Sequence, residues 1–112
     1  MQYALLIYGN GEGWGQLSEE ERQTQMREYM ELGEHPSTRG GADLGELSSA
    51  TTVRVADGEA VTTDGPFAET KEYLGGFYLI EADNIDDAIE FASKIPAARN
   101  GGSIEVRPVI EH

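Results

Sequence analysis

The side chains best suited to chemistry in this 112-residue chain gather in and around one run, Asp64-Gly65-Pro66-Phe67-Ala68-Glu69-Thr70-Lys71-Glu72. Asp64 can serve as a general acid or base, with Pro66 fixing the turn and Gly65 letting the backbone approach a ligand. The competing reading is an Asp that caps its own turn, as Asp-Gly-Pro sequences commonly do. Glu69 and Lys71 can pair across the same loop, or Lys71 can instead bind a ligand carboxylate. Arg54 and Arg107 fall in strand patterns, where a guanidinium needs a partner or a solvated face. A carboxylate-bearing ligand, Asp64 or Glu105 would each accept it in bidentate geometry. His35 is the one non-terminal His, so it is the ready proton shuttle near neutral pH; alone ahead of Pro36 in a loop, it reads as an exposed residue before it reads as a catalyst.

The catalytic candidates are therefore Asp64 and His35, and the ligand-binding candidates are Arg54, Glu69, Lys71 and Arg107. With no Cys in the chain, disulfides, thiolate nucleophiles and Cys-ligated zinc are excluded. One His plus scattered carboxylates has no recognisable metal-ligand spacing, so no metal is expected, nor any cofactor. The glycine-rich stretch Gly9-Asn10-Gly11-Glu12-Gly13-Trp14-Gly15 suggests a phosphate cradle at first sight. Its spacing fails the dinucleotide fingerprint, and no Gly-Lys-Ser/Thr follows, so it reads as a loop whose Trp14 packs as a lid on the core edge or on a partner subunit. A balance of 21 acidic against 8 basic residues, net -13, would repel a phosphate backbone and argues against direct nucleic-acid binding.

The elements that must position these residues follow from periodicity. Tyr3 to Tyr8 is a short apolar run that reads as a buried strand. Ser18 with Glu21 forms a capping box that starts a helix, in which Met26, Tyr29, Met30 and Gly33 make an inward stripe. Gly33 is a helix stop and Pro36 prevents continuation. His35 to Gly41 reads as a loop, followed by a short strand or irregular edge over Ala42 to Leu47. Thr51 to Ala56 and Glu59 to Thr63 flank Asp57-Gly58 as a β-hairpin. Phe77 to Ala82 is an interior strand. Asp83 or Asn84 then caps a second helix with Ile85, Ala88, Ile89, Ala92 and Ile95 on one stripe, closed by Pro96. Ile104, Val106 and Pro108 make a last strand.

This order implies a single domain over residues 1–112, an α+β ferredoxin-like sandwich with an added β-hairpin. Two helices can cover only one sheet face. Leu6, Tyr8 and one alternating set of Phe77 to Ile80 are then left on the other, a patch large enough to mark a homodimer interface. No apolar run approaches the ~18 to 20 residues of a membrane span and no signal-peptide pattern opens the chain, so a cytoplasmic protein is expected, with no membrane partner.

Tyr3 to Tyr8, Thr51-Thr52-Val53-Arg54-Val55, Thr63 to Glu72, Leu74 to Ile80, Pro96-Ala97-Ala98-Arg99 and Glu105 to Val109 together resemble YCII-related proteins of the DGPF subfamily, over nearly the whole chain. That resemblance implies a dimeric α/β barrel fold. It also implies a possible association with extracytoplasmic-function sigma factors, and relatives with a His and Asp pair at a cleft or with likeness to muconate-type dehydrochlorinases. The first helix here holds no His, so that dyad does not transfer. Two functions stay in view. One is a small-molecule-binding or regulatory module; the other is a lyase- or isomerase-like enzyme on a small organic acid, with Asp64 moving the proton.

Overall fold

The computed structural model describes residues 1–66 and 71–112. Its scaffold is a four-stranded antiparallel sheet in the order β2-β5-β1-β6. β1 spans Gln2–Gly9, β2 Thr38–Asp43, β5 Tyr73–Glu81 and β6 Ser103–Pro108. The helices are α1 at Glu12–Gly15, α2 at Glu19–Glu34 and α3 at Ile85–Ser93. Among the described residues, β3 (Thr51–Ala56) and β4 (Glu59–Asp64) pair only with each other, as a separate hairpin. The connectivity is compatible with a ferredoxin-like sandwich in which that hairpin is inserted between β2 and β5. The sheet is open, with β2 and β6 at its edges, and forms no closed barrel within one chain.

Local signals explain most elements. The Ser18 hydroxyl accepts from the Glu21 N–H while the Glu21 carboxylate accepts from the Ser18 N–H, each at 3.1 Å, so α2 begins on a complete capping box. These two bonds hold the Glu21 carboxyl below its ordinary range. Asn84 caps α3 through the Asp87 N–H at 2.9 Å. Asp57 and Gly58 both have positive φ, 50° and 79°, as a two-residue hairpin turn matched to the strand twist requires.

The register separates the sheet faces. Tyr3 pairs with Ile80 and Leu5 with Tyr78 on one side, while Ala4 pairs with Leu79 and Leu6 with Phe77 on the other. Directly paired residues share a face. The first set packs with Leu32 of α2 and Ala88, Phe91 and Ala92 of α3, together with Ile95, in one core. Neither helix places a core residue against Ala4, Leu6, Phe77 or Leu79.

Several expectations need correction. β2 begins at Thr38, not Ala42, because pairing with β5 is a backbone matter that Gly40 and Gly41 satisfy without a side-chain pattern. Residues Leu47–Ser49 form a single 3-10 turn in place of a strand end. Along α2 the buried positions are Gln25 and Leu32, with Tyr29 packed against the core, whereas Met26 and Met30 are 54% and 62% exposed. In α3, Phe91 takes the inward place given to Ile89, and both Ile85 and Ile89 are exposed. A stripe with mixed three- and four-residue spacing fits two neighbouring helix faces, and the sheet selects between them.

Leu5, Ile80 and Ile95 are fully enclosed, so Leu5→Ala should lose about 2–5 kcal/mol of unfolding free energy in a urea titration. A loss below about 1 kcal/mol would place the core elsewhere.

Candidate functional site

A cleft of about 810 Å³ opens where α2 crosses the end of the sheet. Its floor is low because glycine replaces larger residues there: Gly41 on β2 and Gly75 and Gly76 on β5 all line it. Gly76 lies opposite Ile7, and the β1–β5 register shifts immediately beyond, between Ile7 and Tyr8. One wall is Tyr29, Met26 and Met30 of α2; another is Tyr73 and Tyr78 of β5; the segment Asp43 to Glu46 forms the lip at the end of β2.

The roof is α1, which carries Trp14 over the cleft. Arg22 of α2 holds it there, donating Nε to the Trp14 carbonyl at 3.1 Å and a terminal nitrogen to the Gly15 carbonyl at 3.0 Å. Gly11 sits at φ 79° with the Tyr73 hydroxyl 2.9 Å from where a Cβ would stand, so only glycine lets the loop close onto β5. Gly13 similarly faces the Asn100 backbone carbonyl, with no room for a Cβ. Trp14 thus lines the cleft while staying 41% exposed, outside the core cluster, and it sits on a short helix where the sequence reads as a loop. The glycines around it serve close packing.

At the floor, buried Gln25 accepts a 2.8 Å bond from the Asn100 amide. The Tyr78 hydroxyl donates to the Tyr29 carbonyl at 2.7 Å, and the Tyr29 hydroxyl accepts from the Ala97 N–H at 3.2 Å. Burial pushes Tyr78 up to about 12, with Tyr29 and then Asp43 adding to the shift. Tyr29 is also raised, chiefly by burial and in part by Asp43. Both phenols therefore stay protonated at neutral pH. Asp43, an exposed carboxylate on the lip, shares a strand register with Gly76 and Ile7.

None of the described catalytic or ligand-binding candidates from sequence lines this cleft. Asp64 is exposed at the end of β4 opposite Thr51, and the turn beside it is held by Gly65, which donates to the Ala50 carbonyl at 2.7 Å and accepts from the Thr52 hydroxyl at 2.8 Å. His35 ends α2: its Nδ1 accepts from the Ser37 N–H at 3.0 Å and its ring meets Phe91 edge-on at 5.4 Å. Arg54 is exposed on β3, paired with Val61, and Lys71 is exposed before β5. Arg107 lies 3.9 Å from Glu105, one of the partners anticipated for it. Glu69 lies outside the described residues. The cleft residues missed from sequence, Tyr29, Tyr78 and Asp43, come from distant segments, as does Arg22, which holds the Trp14 segment. Only Trp14, by its type within a glycine loop, carried a legible signal.

These features define a small antiparallel α+β protein with an aromatic-walled, acid-lipped cleft. The chain belongs to the YCII-related domain family, whose model matches residues 1–112. It is 39% identical over 117 residues to an uncharacterized protein of Rhizobium meliloti (strain 1021), the alignment spanning 97% of this chain and 92% of that relative.

Above pH ~10 an unfolded Tyr ionises, while folded Tyr78 keeps its proton to about 12. The unfolded state then binds fewer protons than the folded one, so stability falls as pH rises from about 10 to about 12. Near-ultraviolet difference titration should show a late-ionising Tyr that Tyr78→Phe removes. Ordinary midpoints for all five tyrosines would contradict this environment.

Proposed function

We propose that the protein binds a small molecule in the α2–sheet cleft. The observation that carries this reading is the cleft itself: about 810 Å³, inside the range of small-molecule sites, with mostly apolar walls and a few polar groups at floor and lip. Binding fits the groups present better than proton transfer does. A general acid or base works best with a pKa near the operating pH, and Tyr78 is pushed in the opposite direction. The lyase or isomerase alternative would need a substrate held at Asp64, on an exposed strand end away from the cleft walls. Membership of the DGPF subfamily rests on the run from Asp64 to Glu72 and agrees with either reading.

The same proposal includes a homodimer, the unit from which a dimeric barrel would be built. The sheet face with Ala4, Leu6, Phe77 and Leu79 carries no packed helix. The β3–β4 arm exposes Val53 and Val55 at 61% and 72%, and a lone two-stranded hairpin is marginal in water. A second copy would cover such surfaces.

Both parts are testable. Calorimetry with neutral 2-phenylethanol should give saturable binding that Trp14→Ala weakens, since Trp14 lines the cleft and, at 41% exposed, carries no part of the core. Asp64→Asn should leave binding unchanged; loss of binding in that variant would move the site to the hairpin. Light scattering should give twice the 12.2 kDa chain mass, and Leu6→Lys should return it to one chain. A wild-type monomer at micromolar concentration would refute the dimer.

A further inference from the structure

We infer that the cleft selects an organic amine, an aromatic or apolar body carrying a protonated nitrogen. This deepens, and rests on, the reading of the cleft as a ligand site. The charged residues that line it are Asp43 and Glu46, both acidic, and no Lys, Arg or His is among the described lining residues. Trp14, Tyr29, Tyr73 and Tyr78 are among its lining residues, and aromatic rings favour a cation over an anion where a ligand reaches their faces.

Three of the chain's cations are engaged by other groups, although the field of Arg99 reaches Tyr29 and opposes that of Asp43. Arg22 is spent on the carbonyls of Trp14 and Gly15, Arg99 pairs with Glu28 at 2.5 Å, and Arg107 lies beside Glu105. A ligand carboxylate entering the cleft would meet like charge at the lip and no guanidinium inside. An ammonium group would meet Asp43, whose field already reaches both cleft phenols and raises them. The Tyr78 hydroxyl is committed to the Tyr29 carbonyl, so it does not compete for the lip carboxylate. A net charge of -13 adds a general attraction for cations on approach. Met26 and Met30, polarizable and unbranched, let the rim adapt to bodies of different outline.

Three probes of matched shape separate the charge effect from the cavity: phenethylamine, 2-phenylethanol and 3-phenylpropanoate. Calorimetry should place phenethylamine about tenfold tighter than 2-phenylethanol, from an exposed ion pair plus ring contacts, with 3-phenylpropanoate the weakest. Asp43→Asn should weaken phenethylamine about three- to fivefold and leave 2-phenylethanol unchanged, because the exposed lip carries no part of the core. Raising salt from about 50 mM to about 500 mM should narrow the amine's advantage. Equal binding of amine and alcohol, tighter binding of the propanoate, or an Asp43→Asn variant that keeps the full preference would overturn this inference alone. Failure of all three probes to bind would overturn the cleft reading and the inference together.

Discussion

The hydroxyl of Tyr78 marks where the hydrophobic core ends and the cleft begins. On one side its ring packs against Phe91 at 6.1 Å between centroids, continuous with Leu5, Ile80 and Ile95. On the other its hydroxyl leaves the core and donates to the Tyr29 carbonyl at 2.7 Å. That bond ties the middle of α2 to the central strand β5, and Tyr29 in turn ties α2 to the turn at Ala97. One residue further along the helix-facing row of β5 stands Gly76, which has no side chain to continue the packing. A helix held at core distance over a strand that has turned to glycine necessarily spans an opening. The pocket is thus a consequence of how the core stops, and needs no separate device.

The same economy leaves surfaces on the opposite side. Two helices of ordinary width cover one face of a four-stranded sheet, so the alternation that buries Tyr3, Leu5 and Ile80 must also place Ala4, Leu6 and Leu79 on the uncovered face. The hairpin adds three exposed valines, Val53, Val55 and Val61. A strongly acidic chain tolerates such apolar surface in solution because net charge opposes indiscriminate association, while a self-complementary interface remains open to it.

Legibility in the sequence tracked the range of the interactions. The capping box at Ser18 and Glu21, the Asp57-Gly58 turn, the Asn84 cap and β1 rest on neighbours within a few residues, and each is where the pattern puts it. β5 instead begins at Tyr73, ahead of the apolar run from Phe77, because Tyr73 to Gly76 gain their strand state by pairing with β1. β2 was hidden because Thr38 to Asp43 contains two glycines and no alternation; its strand state comes from β5, some 40 residues later. Met26 and Met30 looked like core because spacing alone cannot tell which of two adjacent helix faces meets the sheet, and Tyr78 anchors the other one. The cleft was illegible for the same reason: Ile7, Trp14, Tyr29, Asp43, Tyr78 and Asn100 converge only in the folded chain. Asp64, by contrast, stands out in composition but lies on an exposed strand end. Conspicuous residues and convergent ones are different sets here.

Trp14 is the chain's single tryptophan and forms the roof of the cleft, so its emission reports directly on that space. Titration with phenethylamine, exciting at the red edge where the ligand does not absorb, should produce a saturable change in Trp14 emission with the same midpoint as the calorimetric binding curve. Unchanged Trp14 emission across a calorimetrically saturated titration would show that the ligand sits elsewhere and would contradict the account.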